Sequence, residues 1–598
     1  MMKTIKYFIL VSIISTIVSC DDYLETNSNS TFTEKTAFIN LDFATKNVNG
    51  IYNQFTGIYM YDFILMFTKC DNDIEVLFST SDDSGVMNMA HYSATPGNQY
   101  LKEVWNTFYK SIEMSNIAID NLPHSPIWTG EYSDAARQLY GEAVTLRAMN
   151  YFELISIWGD VPFKTKSTQA GDNFNLPKTD RDSIYEFLIN DLASVEDYIP
   201  WMTETHTAER VNKGFVKGLR ARIALAYAGY SLRNKTLVTR RGRNWQEYYR
   251  IANTACKEVV ESGKHNLNPD FTNVFKNLHT YTQDLTYNEN MFEIAFGRLY
   301  SGRLGYSFGM VFSQSPADPK YGKCNGSVKV PHSYFYTFDK LDNRRNVSAE
   351  LYNYANSATL SKQALSAGYS MTPTKFRRNW IVPSMGGDLK NATYTGVNFP
   401  IMRYSDILLM FAETENEINN GPTAAAKEAF AIVRQRAFSI DKWSTKVSKY
   451  IDSVSVSKED FFKAIVNERG WEFGGEMLRK QDLIRWNMLG PKIDEMKEAC
   501  RQIAYDERKD VPNYIYWKYN NDGETISILN PDYRIPGTQQ VGWSSYFMWG
   551  WLKDSKYYVT VMNQIAHGYD NTKNNHLYPI ALDIINTSNG VLSNDQIP

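Results

Sequence analysis

Two glutamates, Glu468 and Glu472, have a spacing that could support acid/base chemistry. They are four residues apart, which places both carboxylates on one face of a helix. Paired carboxylates are what glycoside hydrolysis requires. Arginines lie close to them in the sequence, however, and a charge in a packed region costs several kcal/mol unless it is paired. We therefore expect a structural role, as ion pairs between helices. The same expectation holds for Asp160, Arg403, Asp406, Arg469 and Arg485.

No catalytic motif strengthens the enzyme hypothesis. The chain contains no nucleophile elbow, HExxH metal motif, Walker loop or dinucleotide fingerprint. Its 8 histidines are scattered without metal-ligand spacing, so we expect neither a metal nor a cofactor. The 66 acidic residues guarantee chance carboxylate pairs, so composition alone leaves a glycoside hydrolase open. A non-catalytic protein is the simpler interpretation.

Cys20 has the setting of an acylation site because of the segment that precedes it. Lys3 and Lys6 are followed by an apolar run over residues 7–18 and by the small residue Ser19. A basic start, an apolar stretch of about a dozen residues and a small residue at the cleavage site are typical of a secretory signal peptide. The run is too short to span a bilayer, which needs roughly 20 apolar residues.

The four residues that end at Cys20 (IVSC) resemble the bacterial lipobox, where a signal peptide is removed and a cysteine thiol is acylated. This resemblance predicts a signal peptide over residues 1–19 and a mature chain that starts at Cys20. Acyl chains such as palmitate would then hold it on a membrane, and at least two chains make such an anchor stable. Residues 20–35 are polar and carry no pattern, so we interpret them as a tether. An ordinary signal peptide with a chance cysteine is the alternative.

The other four cysteines are far apart in the sequence and form no C-x-x-C pair. Their spacing therefore indicates neither a zinc site nor a redox dithiol. They could form disulfides outside the cytoplasm, but single buried thiols are the simpler expectation. These cysteines are Cys70, Cys256, Cys324 and Cys500.

Composition and charge narrow the function classes. The 598 residues predict either roughly four domains or one large helical assembly. The net charge is −3 and no basic stripe is present, so we expect no nucleic-acid partner. Aromatic residues make up 14 % of the chain, with tyrosine the most frequent. Tyrosine and tryptophan combine an apolar body with a polar tip, which suits half-exposed binding surfaces, although most of them are expected to fill contacts between helices.

Helical segments dominate from Leu41 onward. Small residues recur at helical spacing with large ones, as in Ala148 with Phe152 and Ala221 with Leu225. A small residue lets two helices approach closely, and a large one fills the neighbouring groove. This is the logic of tetratricopeptide helix pairs, although no strict period of about 34 residues is present. The predicted helices cover residues 105–121, 134–158, 179–198, 214–232, 245–262, 404–418 and 423–438.

Two stretches, 263–400 and 505–560, interrupt the helical pattern. They are rich in glycine, serine, asparagine and tyrosine, so few helices are expected there. Long irregular loops in a compact protein are usually functional. We therefore predict one all-α domain over residues 36–598. It would be a scaffold of degenerate tetratricopeptide-like helix pairs with these two loop-rich insertions and a few short strands.

Motifs along the chain resemble those of the SusD/RagB family, the outer-membrane nutrient-binding lipoproteins of Bacteroidetes. The first is the helix end LRAMNYFEL at residues 146–154, followed by WGDVPF at 158–163. The resemblance covers essentially all of the mature chain. The ending departs from it, because SNDQIP stands where the family tends to carry Asn-Pro-Gly-Tyr/Trp, but termini vary freely. Further motifs, in the family's order, lie at residues 210–214, 288–294, 400–409, 468–473, 482–486 and 577–580.

This resemblance implies a function as well as a fold. It implies capture of oligosaccharides at the cell exterior, by a lipid-anchored protein of the outer membrane. The implied partner is a SusC-like TonB-dependent transporter, over which the lipoprotein sits as a hinged lid. Members that resemble RagB take peptides instead, and both kinds are non-catalytic. A purely structural role beside the transporter is a third alternative.

Ligand contacts vary within the family and lie outside the shared motifs, so the candidate site rests on the residues alone. Sugar rings have apolar faces that flat aromatic side chains can cover, and hydroxyl rims that polar side chains can bind. Loop aromatics are the strongest candidates, and an early polar loop adds three more residues. Basic residues before Trp380 could favour an acidic glycan. The candidates are Tyr300, Tyr306, Tyr321, Trp380, Asp73, His91 and Tyr92.

Overall fold

The protein is mainly α-helical, as the sequence predicts. The predicted signal peptide, tether and Cys20 lie outside the described residues. Within the described part, no helix is long and apolar enough to cross a membrane. The computed structural model describes residues 36–77, 85–313, 315–354, 357–366, 371–381, 393–547 and 556–594.

The longer helices alternate with one-turn helices that lie in the loops. In the first half of the chain the helices are α1 (Leu41–Gln54), α2 (Gly85–Ala90), α3 (Gln99–Asn121), α4 (Ser133–Trp158), α5 (Arg181–Val195), α6 (Met202–Thr205), α7 (Lys213–Ala228), α8 (Trp245–Ser262) and α9 (Phe271–His279). In the second half they are α10 (Leu304–Ser307), α11 (His332–Phe335), α12 (Arg345–Ser348), α13 (Tyr404–Ile418), α14 (Ala424–Arg436), α15 (Lys449–Val454), α16 (Lys458–Phe473), α17 (Arg479–Arg485), α18 (Leu489–Ala504), α19 (Lys556–Gln564) and α20 (Leu582–Thr587).

Successive long helices pack on one another and form the scaffold. Helix α3 packs on α1 and α4, α4 packs on α5, and α5 packs on α7. Helix α7 continues the row to α8, α8 to α13, and α13 to both α14 and α16. Each helix therefore buries its apolar side against its neighbours in the row, which is how stacked helix pairs form a continuous core.

Small residues set the close approaches between these helices. Ala148 and Ala221 are fully buried, as their spacing predicts. Gly218 in α7 goes further, because a Cβ there would stand 2.2 Å from Sδ of Met402 and 2.8 Å from Cδ1 of Ile407. Only a residue without a side chain fits at this contact.

The strands are short and pair in small antiparallel sheets. Strand β5 lies fully buried against β8, and this pair joins the two ends of the loops over residues 295–398. The other pairs are β1 with β2, β3 with β4, and β6 with β7, and β9 lies between β10 and β11. The strands are β1 (Val161–Pro162), β2 (Lys178–Thr179), β3 (Tyr230–Leu232), β4 (Thr239–Arg241), β5 (Asn290–Ile294), β6 (Tyr352–Asn353), β7 (Ala364–Leu365), β8 (Phe399–Arg403), β9 (Tyr514–Tyr519), β10 (Ile526–Ile528) and β11 (Ser544–Phe547).

The prediction that the motif charges are structural ion pairs is confirmed. Arg403 is buried, and its guanidinium lies 2.8 Å from Glu289, 2.7 Å from Glu472 and 2.7 Å from Glu476. Burial alone would raise the pKa of Glu472, but the surrounding arginines lower it well below its ordinary value. Glu472 is thus held as a charged carboxylate in a closed network, which does not suit a general acid.

The remaining predicted charges have partners of the same kind. Glu468 lies 2.7 Å from Arg434, and Asp406 lies 2.6 Å from Arg469. Arg485 pairs with Glu413 at 2.5 Å, and Asp160 with Arg181 at 3.5 Å. The cysteine expectation is confirmed too, because Cys70, Cys256, Cys324 and Cys500 are all free and buried.

Candidate functional site

Within the loop-rich stretch 263–400, a turn at residues 302–303 is fixed by a buried carboxylate. Oδ1 of Asp62 accepts hydrogen bonds from the backbone N–H groups of Gly302 (3.0 Å) and Arg303 (2.8 Å). The carbonyl of Gly302 in turn accepts from the N–H of Thr395 at 2.7 Å. These contacts join three distant parts of the chain, so the loops around residue 300 are built on a firm base.

An extended segment, residues 321–330, lies beside this turn and has alternating exposure. Its even-numbered residues, 322 to 330, are all buried, and its odd-numbered residues, 321 to 329, are all half-buried. Side chains of an extended segment point alternately to opposite sides, about 7 Å apart on each side. The segment therefore presents one row of side chains outward, which we name the polar ridge. The polar ridge consists of Tyr321, Lys323, Asn325, Ser327 and Lys329.

Backbone hydrogen bonds hold the polar ridge in place on two sides. The N–H of Asn325 donates to the carbonyl of Tyr306 at 2.7 Å, and the N–H of Ser327 donates to that of Ser307 at 2.7 Å. On the other side, Lys329 pairs with Val76 through two hydrogen bonds of 2.8 and 2.9 Å. The backbone of the segment is therefore held at several positions, and positive φ values at Gly322 and Gly326 bend it between them.

Two of the predicted aromatic residues, Tyr306 and Tyr321, belong to this surface. Tyr306 is half-buried, and the Lys323 ammonium lies 5.4 Å from its ring centroid. Tyr321 packs edge-on against Tyr354 at 5.2 Å and against Phe312 at 5.5 Å. Both rings are thus supported from behind while part of each remains accessible.

Buried Arg378 connects the two tyrosines. Its Nε donates to the backbone carbonyl of Tyr321 at 2.8 Å. Burial lowers the pKa of this guanidinium, whereas the nearby phenols of Tyr281 and Tyr306 are among the groups that raise it. Lys329 has a stronger shift of the same origin, because burial lowers the pKa of its ammonium to about 8. Burial thus disfavours the charged form of both cations.

Two aromatic residues of this surface were not predicted from the sequence. Tyr281 donates a hydrogen bond from its hydroxyl to the carbonyl of Thr395 at 2.5 Å. Tyr394 accepts one from Arg303 at 3.2 Å, and the guanidinium also lies 5.2 Å from its ring centroid. Both tyrosines are half-buried. Each is placed by contacts across more than 90 residues of chain, so local sequence contained no signal for them.

The two other predicted loop aromatics have different surroundings. Tyr300 is 85 % exposed at the tip of a turn, where its N–H donates to the carbonyl of Gly297 at 2.8 Å. Trp380 is half-buried between Arg377, 4.3 Å from its ring centroid, and His279, at 5.4 Å. Tyr300 is thus available to a ligand without rearrangement, whereas one part of Trp380 is already covered.

The structure places the three early-loop candidates away from open solvent. Asp73 forms a double hydrogen bond with Arg479, at 2.8 and 2.7 Å. His91 is fully buried 2.5 Å from Asp71, and the hydroxyl of Tyr92 donates to the backbone carbonyl of Asp71 at 2.7 Å. These partners give all three residues a packing role, and their ligand-binding role stays a prediction that their burial does not favour.

Asp73 also borders a separate cavity of about 280 Å³ between α16 and α18, lined by Trp471, Lys492 and Arg508 among others. Lys492 lies 2.7 Å from Glu495 and Arg508 lies 2.5 Å from Asp510, so the charges around this cavity are paired. In the described part of the chain, no cluster of His, Cys, Asp or Glu residues could hold a metal ion.

Comparisons with known proteins cover almost the whole chain. Residues 240–596 match the family model described as the SusD family, and residues 22–225 match the one described as starch-binding associating with outer membrane. The chain is similar to SusD-like protein P25 of Formosa agariphila, with 23 % identity over 536 residues, which cover 83 % of this chain and 92 % of the relative.

Solved structures share the fold. A SusD homolog from Bacteroides thetaiotaomicron superposes with a TM-score of 0.72 at 21 % identity, over 94 % of this chain and 98 % of that one. Surface glycan-binding protein A from the same organism, in complex with laminarihexaose, superposes with a TM-score of 0.61 at 16 % identity, over 93 % and 99 %. At these identities the likeness concerns the fold alone, and it confirms the predicted fold class.

Proposed function

The chain belongs to the SusD family, and from that premise we propose that it is a non-catalytic, glycan-binding lipoprotein of the cell surface. The observation that carries the proposal is the polar ridge with Tyr306 beside it. Sugar rings need flat apolar faces and hydrogen-bond partners for their hydroxyls, and this surface offers both within one fixed framework.

The geometry supports an elongated ligand. The polar ridge is a row of alternate, half-buried side chains along one segment, which bends at Gly322 and Gly326. Asn325 and Ser327 lie at its centre and Tyr321 at one end, with Tyr306 held beside them. An oligosaccharide lying along the row would meet a ring face and then hydroxyl-binding groups in succession. Surface glycan-binding protein A, which has the same fold, was solved with such a ligand, laminarihexaose.

Catalysis is not part of the proposal. The carboxylates that the sequence singles out, Glu468 and Glu472, are buried in ion pairs with Arg434 and Arg403 and face no ligand surface. A glycosidase needs two accessible carboxyl groups with different protonation states. Binding without turnover is therefore the function that this site supports best.

Location and partner complete the proposal. Acylation of Cys20 would anchor the protein at the outer membrane with its ligand surface toward the exterior. A SusC-like TonB-dependent transporter would receive the captured oligosaccharide, with this protein as its lid. The match to the family described as starch-binding associating with outer membrane supports this location.

The proposal is tested by calorimetric titration of the purified full-length protein with oligosaccharides of different backbones. Single alanine variants at Tyr300, Tyr306, Tyr321 and Trp380 identify the platform residues. Tyr132→Ala is the matched control, because Tyr132 is 47 % exposed at the start of α4 and outside the loops. Loss of an aromatic platform should weaken binding by roughly 1–3 kcal/mol, on the scale of stacking on an aromatic ring.

Each outcome has a distinct meaning. Glycan binding that is weakened by loop variants but not by Tyr132→Ala supports the site. Unchanged affinity in all four loop variants rejects the site but keeps the function. Cleaved oligosaccharide in the titration cell would indicate a hydrolase. Peptide binding without glycan binding would favour the RagB-like alternative, and neither kind of binding would favour a structural role.

A further inference from the structure

We infer that the ligand of this site is an acidic oligosaccharide, whose carboxylate or sulfate groups are bound by Lys323 and Lys329 of the polar ridge. The inference rests on the proposed function and specifies the ligand class of the same site. It follows from the pairing of charges, from the burial of the two lysines and from their positions on the ridge.

Lys320 and Arg303 near the site have carboxylate partners, and buried Arg378 donates to the backbone carbonyl of Tyr321. Lys320 lies 2.5 Å from Glu524, and Arg303 lies 3.4 Å from Asp62. Among the described residues, no carboxylate lies within ion-pair distance of Lys323 or Lys329. Lysines on an open surface need no partner, but lysines that are substantially buried are almost always paired. Since the described residues offer neither lysine a carboxylate, an anionic group on the ligand would supply the missing counter-charge.

Of the two lysines, Lys329 has the stronger need for an anionic partner. It is half-buried on a segment whose backbone is hydrogen bonded to Val76, and burial lowers the pKa of its ammonium. Among the described titratable groups, the thiol of Cys324 is the one that affects the pKa of Lys329. Burial raises the pKa of that thiol to about 11. Cys324 is thus neutral at pH 7 and supplies no counter-charge. A charge kept partly dehydrated without a partner is costly, and a bound anion would remove that cost.

The spacing of the two lysines also suits an oligosaccharide with several acidic groups better than a ligand with a single acidic group. The lysines stand six residues apart on a segment that bends at Gly326, so their separation is less than the roughly 20 Å that a fully extended chain of this length would span. Between them, Asn325 and Ser327 offer neutral hydrogen-bonding groups, and Lys323 lies against the ring of Tyr306. An oligosaccharide with charges on separated units would place an anion at each end of this row and a sugar face on Tyr306.

The test compares each acidic oligosaccharide with its own neutral form by calorimetry on the purified full-length protein. One arm uses tetragalacturonate and its methyl ester, and the other uses a sulfated oligosaccharide and its desulfated product. We expect the acidic member of one pair to bind about ten-fold more tightly, as a charged hydrogen bond provides. The arm that responds distinguishes a carboxylate from a sulfate. The preference should shrink as salt is added.

Lysine variants test which residues bind the acidic groups of the ligand. Lys323→Gln and Lys329→Gln should each reduce the preference for the acidic over the neutral form by about three- to ten-fold. Lys463→Gln is the control, because Lys463 has a side chain 71 % exposed on α16 and only a weak contact of 3.8 Å with Asp460. Lys323→Gln and the salt titration keep the test decisive if Lys329→Gln folds poorly.

Equal affinity for the acidic and neutral members of both pairs would overturn the inference while the proposed function stands. A preference that survives in both lysine variants would also overturn it. Failure to bind any oligosaccharide, acidic or neutral, would overturn the inference together with the proposed function.

Discussion

The backbone of Lys329 is paired with that of Val76, through hydrogen bonds of 2.8 and 2.9 Å that run in opposite directions. This antiparallel bridge ties the polar ridge to the early segment that follows Cys70. The same early segment is anchored on the scaffold, since Asp73 binds Arg479 of α17. The candidate site is therefore connected to the helical framework by contacts across more than 250 residues of chain.

Affinity for an acidic oligosaccharide should fall as the pH rises above 8. Burial lowers the pKa of Lys329 to about 8 in the free protein, and a bound anion would favour the ammonium and raise that pKa. Below pH 8 the lysine is already charged, so binding is at full strength. Above it, binding must take up a proton, and affinity declines with each further pH unit.

Calorimetry between pH 6.5 and 9.5, in buffers of different ionisation enthalpy, would detect this proton uptake. The pH range is chosen to span about 1.5 units on each side of pH 8. Lys329→Gln should flatten the profile, and Lys463→Gln should leave it as in the wild type. A wild-type profile without any decline in this range would show that Lys329 does not contact the anion.

Replacement of Glu472 by glutamine should destabilise the protein severely. Its carboxylate lies 2.7 Å from Arg403 and 3.1 Å from Arg344, and all three side chains are buried. Removing one partner of a buried pair leaves the others uncompensated, at a cost of about 3–5 kcal/mol. Urea unfolding measures the loss. Glu498→Gln, which breaks an exposed pair with Arg501 on α18, should unfold close to the wild type.

Acid should destabilise the wild type through the same network. Burial alone would raise the pKa of Glu476, but Arg403 and Lys375 lower it below its ordinary value, and the pKa of Glu472 is lowered likewise. A lowered pKa in the folded state stabilises the protein above the unfolded value, about 4.3, and that contribution is lost as the pH falls further. The contribution of the network, measured as the difference in urea midpoint between wild type and Glu472→Gln, should therefore stay level from pH 7 to about 5 and shrink below it. A difference that grows below pH 4 would contradict this.

The contact of α7 with β8 should not tolerate a methyl group. In Gly218→Ala the new Cβ would stand 2.2 Å from Sδ of Met402, so the Met402 side chain must shift within a buried contact or the helix must move. Overpacking of this kind costs about 1–3 kcal/mol, which urea unfolding would detect. Gly97→Ala is the control, because its Cβ would meet nothing nearer than 3.7 Å. Equal stability of the two variants would mean that the contact can accommodate a methyl group.

The sequence predicts the helices well where local signals and packing agree. The predicted spans 245–262 and 404–418 coincide with α8 (Trp245–Ser262) and α13 (Tyr404–Ile418). The span 214–232 is too long, because α7 ends at Ala228 and the chain continues as strand β3. A Cβ on Gly229 would stand 2.6 Å from Cβ of Arg485, so tertiary packing against α17 ends the helix here.

The site is harder to predict than the scaffold. The pattern YGKCNGSVKV at residues 321–330 alternates polar with small or apolar residues, which is a strand signal. Its glycines mask that signal, and Gly322 and Gly326 indeed adopt φ values of +80° and +55° that bend the segment. Tyr281 and Tyr394 are placed by distant contacts that no local pattern encodes. The remaining site residues, Tyr300 and Trp380 included, stay predictions until binding is measured.

Replacement of Cys20 by alanine should release the protein from membranes. The cysteine follows an apolar segment and ends the lipobox-like sequence IVSC, so its thiol is the predicted acylation site. Because the chain offers no membrane-spanning helix in its described part, the acyl chains would supply the hydrophobic anchor. Membranes from cells that express the variant should lose it on washing with alkaline carbonate, whereas wild type stays in the pellet and incorporates labelled palmitate. Cys256→Ala, which removes a buried thiol in α8, serves as the control and should remain in the pellet. A Cys20→Ala protein that stays bound after the wash would refute lipid anchoring at this residue.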